Sequence, residues 1–256
     1  MEPEILSGGS TNLVEKIGKV VHRKVKGHPM LHEYLLFLEK EGMPGVPRFL
    51  GLDEQGREML TYLPGKTMGP DYPYDHPCLH SDQTLCDMAR FMRKLHDISA
   101  GFLPRAIEGG WTNPYFPKGE HETICHSDAA IWNFVFVNDR VSGLFDFDQA
   151  YPGTRCWDLT STLFSSALPL YNGYESSKHA PETRRRIKLF FGAYGMECSS
   201  DIMALIIDFL QRNVCDGLIT GAANGDEACI MQVERGDLTH YQNWVSHLKA
   251  HGHEWV

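Results

Sequence analysis

The sequence predicts an α+β protein of two lobes, a small antiparallel sheet with one helix followed by a larger, mainly helical part. Short β-branched runs separated by Gly- and Asn-bearing turns crowd the first 62 residues. A stretch dense in Pro and Gly, P-G-K-T-M-G-P-D-Y-P-Y-D-H-P, then interrupts the chain. From Ser81 onward apolar residues recur mostly at helical spacing. We therefore divide the chain into residues 1–62 and residues 63–256.

Three short strands are expected between residues 4 and 25: E-I-L, L-V-E-K-I and K-V-V-H-R-K-V. They are separated by S-G-G-S-T-N and by Gly18, turn residues that favour an antiparallel meander. Pro29 opens a helix with Leu31, Leu35 and Leu38 on one stripe, and Gly42 stops it. V-P-R-F-L-G-L and R-E-M-L-T-Y-L bracket D-E-Q-G as a hairpin. Ser81 caps a helix that aligns Leu85, Met88, Met92 and Leu95. F-V-F-V-N-D-R-V-S-G-L-F-D-F-D is the exception in this half, a hairpin turning at Asn138 and Asp139. Helical spacing resumes over 157–167, 182–194, 200–222 and roughly 226–250.

Composition narrows the function. A chain of 256 residues, 42% apolar and 22% charged, can bury a full core. Thirty-three acidic against 24 basic residues give a formal charge of -9, which repels nucleic acid and anionic lipid, so neither is expected as a partner. Seven scattered cysteines without a C-x-x-C pair argue against a disulfide framework or zinc knuckle. With no basic segment leading into an apolar run near Met1 and no stretch of ~18 apolar residues, a reducing cytoplasm is the expected location.

One stretch carries the chemistry. In I-C-H-S-D-A-A-I-W-N-F-V-F-V, Asp128 and Asn133 stand five residues apart directly before a buried strand. That spacing is the H-R-D-L-x-x-x-N spacing of the kinase catalytic loop. Thirteen residues past Asn133, across the expected hairpin, D-F-D puts Asp146 where kinases carry the metal-binding acid of D-F-G.

In these motifs the chain resembles the aminoglycoside phosphotransferase and choline kinase superfamily, small-molecule relatives of protein kinases. The block between Cys125 and Leu170 is similar to the family's H-G-D…N-V…I-D-F-D…P-G…W-D-L pattern, and V-P-R-F-L-G-L-D-E-Q-G-R-E-M-L-T-Y-L-P-G to its run into the hinge. The resemblance implies a protein-kinase-like fold. It implies transfer of a γ-phosphate from ATP, or GTP, to a hydroxyl of a small molecule: an aminoglycoside, an amino alcohol or a sugar. Asp128 would be the general base, and Asn133 and Asp146 the oxygen ligands of Mg²⁺. Gly8, Gly9 and Ser10 would cover the triphosphate; Lys24 would contact it, held by Glu33; Thr61, Tyr62 and Leu63 would meet the base. Strand side chains alternate, so Arg23 or Lys26 is an alternative to Lys24. A monomer or weak homodimer is expected.

His126 is expected to pack under the loop and Asp158, in W-D-L, to tie it down, although a helix-capping aspartate would read the same way. Ser127 replaces the family's glycine, and D-F-D-Q makes Asp148 a weaker metal candidate than Asp146. Glu175, Asp208, Asp216, Asp226 and Glu227 are candidates to hold an amine-bearing acceptor, or else form a solvated face. Two rivals remain: a nucleotide-binding protein with little or no catalysis, and a metal hydrolase built on His121, His126 and Asp128. The hydrolase lacks ligands in helical register.

Overall fold

The protein is described here by a computed structural model covering residues 3–6, 14–69, 72–112, 121–168 and 176–255. The turn at Gly8, Gly9 and Ser10 and the acid Glu175 lie outside these described residues.

Strands β1 (Glu4–Ile5), β2 (Glu15–Ile17) and β3 (Val20–Arg23) form the expected meander, and β4 (Phe49–Leu52) and β5 (Glu58–Thr61) form the expected hairpin. They join in one antiparallel sheet of order β1-β2-β3-β5-β4. The register sets Arg23 opposite Glu58 and Val21 opposite Leu60, so these four residues share one face. Helix α1 (Leu31–Lys40) lies between β3 and β4 in the chain and buries Leu31, Tyr34, Leu35 and Leu38 at helical spacing. Gly42, at φ +71°, ends it as expected.

The segment after β5 is laced to the next part of the molecule. Lys66 and Phe136 exchange both backbone hydrogen bonds, at 2.9 and 2.8 Å. Helix α2 (Pro77–His80) is a single turn that begins on the last residue of the Pro-rich stretch, Pro77, where a missing N–H costs nothing. Helix α3 (Asp82–Ser99) begins at Ser81, whose hydroxyl accepts from the Thr84 N–H at 3.0 Å. Its Leu85, Met88, Met92 and Leu95 are fully buried. Helix α4 (Leu103–Glu108) follows.

Four strands then frame the loop of interest: β6 (Thr123–Cys125), β7 (Phe134–Val137), β8 (Arg140–Leu144) and β9 (Tyr151–Gly153). β7 and β8 make the expected hairpin, turning at Asn138 and Asp139, both left-handed, as a two-residue I′ turn requires. β6 and β9 pair as well, a ladder that was not expected: each has three residues, all buried, so neither alternates.

Helix α5 (Arg155–Ser166) matches the expected 157–167 closely, and α6 (Ser176–Tyr194) starts earlier than the expected 182–194. The expected helix over 200–222 is α7 (Ile202–Phe209), a π-helical stretch Leu210–Asp216 and α8 (Gly217–Ala223) in direct succession. The last one is divided at Gly236, φ +96°, into α9 (Glu227–Arg235) and α10 (Asp237–His251). A single buried cluster runs from α1 through α3 and β7 to α10, so the helices and the sheet share a core. No helix among the described residues is long and apolar enough to cross a membrane.

Candidate functional site

The loop between β6 and β7 is held from below by one carboxylate. Asp158, fully buried on α5, accepts from the backbone N–H groups of His126 (2.8 Å) and Ser127 (2.7 Å) and from His96 Nε2 (2.8 Å). Burial works against its charge. The bond from His96, the imidazoles of His96 and His126 and the His126 N–H outweigh that and hold the carboxyl below its ordinary range. Thr154, not Asp158, caps α5, so the tethering reading of Asp158 is the one the geometry supports.

These bonds fix the backbone in a shape glycine would adopt freely. Ser127 sits at φ +67°, the left-handed region, a strained position for a residue with a Cβ. His126 lies beneath, stacked edge-on against Phe147. Its Nε2–H donates to the Phe145 carbonyl at 2.9 Å, and its Nδ1 accepts from the Asp128 N–H at 3.2 Å. Both ring nitrogens are engaged structurally and burial lowers its pKa, so His126 packs rather than reacts.

Asp128 and Asn133 meet directly. The Asn133 amide nitrogen donates to the Asp128 backbone carbonyl at 2.8 Å and to Asp128 Oδ2 at 2.9 Å. These bonds orient the carboxylate and leave the Asn133 Oδ1 outside them. The Phe145 N–H donates to the Asn133 carbonyl at 3.0 Å, which brings the D-F-D segment against the loop. Asp146 follows in the left-handed region, φ +68° and ψ +60°, with its carboxylate meeting a side chain of β3.

The cation facing these acids is Arg23. Its Nε donates to Glu58 Oε1 at 2.7 Å, one terminal nitrogen to Asp146 Oδ1 at 2.9 Å, and both terminal nitrogens to Asp148. Burial opposes its charge, but Asp148, Glu58 and Asp146 hold the guanidinium above its ordinary range. Three carboxylates around one cation leave an excess of negative charge. Accordingly, burial and the Asp146 charge push the Asp148 carboxyl up to about 6, and the same two causes push Asp128 up to about 7.

The predicted site residues therefore divide. Asp128, Asn133, Asp146 and Asp148 converge, with Arg23 among them. Lys24 and Glu33 form no pair: Lys24 is exposed beyond the end of β3, and Glu33 faces out from α1 to Arg105, 2.6 Å away. The cause is the period of the strand, which turns Arg23 inward with Val21 and Lys24 outward. The hinge needs a narrower reading too. The N–H groups of Thr61 and Tyr62 already donate to the carbonyls of Arg48 (3.0 Å) and Lys19 (2.9 Å), so a nucleobase edge would be read from Leu63 onward. Glu58 escaped the sequence reading, although it lies in phase with buried Leu60 on β5.

The acids and the amide are hard-oxygen donors of the kind Mg²⁺ takes when water and phosphate oxygens complete its octahedron. Among the described residues no cluster of three or more His, Cys, Asp or Glu side chains could hold a metal unaided. A separate hollow of about 280 Å³ lies between the Gly65–Lys66 segment and the β7–β8 turn, and none of the convergent acids lines it.

Residues 107–190, which contain the whole loop and the D-F-D segment, match the family model described as the phosphotransferase enzyme family. The GDP complex of an aminoglycoside 2'-phosphotransferase-IIIa superposes with a TM-score of 0.62 at 16% identity, covering 98% of this chain and 93% of that one. A choline/ethanolamine kinase family protein from Mesorhizobium loti superposes at 0.54 with 17% identity, covering 96% and 92%. The fold is the two-lobed kinase-like fold of these phosphotransferases. A trifolitoxin immunity protein of Rhizobium leguminosarum bv. trifolii is 28% identical over 211 residues, 77% of this chain and 76% of its own.

Proposed function

We propose that this chain is a small-molecule O-phosphotransferase that moves the γ-phosphoryl group of ATP or GTP to an acceptor hydroxyl. The observation that carries this reading is the convergence of Asp128, Asn133 and Asp146 beside Arg23, with carboxylates outnumbering cations. Asp128 orients the acceptor hydroxyl and takes its proton, and the raised affinity of this carboxyl for a proton suits that task. Asn133 and Asp146 would hold Mg²⁺, with Asp148 as a further oxygen donor, and a bound ion would supply neutralisation of charge on the phosphate oxygens. Arg23, released from the aspartates, offers its two terminal nitrogens to a phosphate in a bidentate match. Leu63 and the residues after it receive the base, and the turn at Gly8, Gly9 and Ser10 is proposed to cover the phosphates with backbone N–H groups.

The acceptor class is proposed from likeness to known proteins. Solved relatives include a kanamycin complex, and the similar immunity protein is named for a toxin. A hydroxylated, amine-bearing small molecule is the first class to test.

A second reading has one observation in its favour. Arg23 already stands on Asp146 and Asp148, where a metal would bind, as it would in a protein that binds nucleotide without transferring phosphate. A panel of aminoglycosides, amino alcohols and sugars, assayed for acceptor-dependent nucleoside diphosphate formation with Mg²⁺, separates the two. Transfer lost in Asp128→Ala supports the enzyme; nucleotide binding that needs no metal, with no turnover on any acceptor, supports the binding protein.

A further inference from the structure

We infer that Glu58 is the positioning residue of the cleft. It grips one edge of Arg23 from inside the sheet, so that the other edge is presented to the phosphate and metal side. The inference rests on the phosphoryl-transfer reading of that cleft.

Four observations carry it. Glu58 is a fully buried carboxylate, and such a group persists only when paired and hydrogen-bonded. It stands directly opposite Arg23 in the β3–β5 ladder, so the pairing is set by backbone register rather than by a flexible reach. Both its oxygens are engaged: Oε1 accepts from Arg23 Nε at 2.7 Å and Oε2 from His32 Nε2 at 2.9 Å. His32 is in turn fixed by stacking on Phe49, ring centroids 3.8 Å apart and planes 8° from parallel. The acid is thus clamped between β3, β4 and α1.

The guanidinium is a rigid planar fork. With Nε pinned to Glu58, the terminal nitrogens project away from the sheet, and they reach Asp146 and Asp148. Those same nitrogens have the geometry to take phosphate oxygens. Glu33 on α1 is committed to Arg105, so in this chain the acid that orients the cleft cation comes from a strand.

Calorimetric titration of the full chain with Mg·ADP or Mg·GDP, whichever the unaltered protein binds, tests the inference, on the unaltered protein, Glu58→Gln, Arg23→Lys and the double variant. Glu58→Gln should weaken binding about tenfold or more, the scale of a lost charged hydrogen bond. Lysine has no Nε–H edge to be held, so in the Arg23→Lys background the same change should add less than about threefold. Glu58→Asp, which keeps the charge but shortens the reach, carries the comparison should Glu58→Gln fail to fold. Equal losses in both backgrounds would mark Glu58 as merely structural and overturn the inference. So would binding within about threefold of the unaltered protein, leaving the phosphoryl-transfer reading intact. Absence of both Mg·ADP and Mg·GDP binding in the unaltered protein would overturn both.

Discussion

Single residues in this cleft trade stability for charge. Asp128 is partly buried beside Asp146, and its carboxyl is raised to about 7 from an unfolded value of ~3.9. Between those values the folded state keeps a proton that the unfolded chain has released, so stability falls as pH rises through that window and the cost is complete above it. Asp128→Asn should therefore raise the stability of the metal-free protein at pH 8 by roughly 1–2 kcal/mol after solvent screening, the gain fading toward pH 4. Thermal melts at several pH values check this, and a variant less stable than its parent at pH 8 would contradict it. Asp158 has the opposite sign. Its carboxyl is lowered, so its contribution is present above the unfolded value of ~3.9 and is lost as pH falls through the folded one. Asp158→Asn should cost about 3 kcal/mol, since it weakens the acceptor of two loop N–H groups and His96. A variant that melts with its parent at neutral pH would rule that tether out.

Elements decide which residues of a motif reach the cleft. Asp128, Asn133 and Asp146 were legible in the sequence because loop spacing and a hairpin determine their separation whatever the surrounding packing. The cleft cation was legible only as an alternative to Lys24, because a one-residue change of strand phase exchanges Arg23 for Lys24, and the phase is set by cross-strand register. Glu58 was within reach: an acid two residues from buried Leu60 on one strand belongs to its inward face. The ladder of β6 with β9 carried no alternating signal at all. The joint between sheet and helices depends on Gly65, φ +148°, whose Cβ, if present, would lie 2.5 Å from Val135 Cγ1 and 2.6 Å from the Phe136 carbonyl. Gly65→Ala should cost about 3 kcal/mol through clash and backbone strain. Gly56→Ala, with open space around its Cβ but φ +74°, should cost only about 1 kcal/mol. Urea unfolding of the two variants tests the ranking, and equal losses would show that the joint does not depend on this close approach.

At the scale of the whole molecule, a sheet and a helical part share one core and meet at a cluster of acids around the inward Arg23. The excess negative charge there predicts that Mg²⁺ and nucleotide stabilise the protein together more than either does alone, which thermal melts with each ligand and with both would register. The account stands or falls on Asp146 as a ligand of that ion. Titration of ATP into the unaltered protein and Asp146→Ala, each with Mg²⁺ and with chelator, tests this most directly. The expected result is tight binding only for the unaltered protein with Mg²⁺, with Asp146→Ala folded but reduced to its chelator level. Metal-dependent binding that survives unchanged in Asp146→Ala would contradict the account.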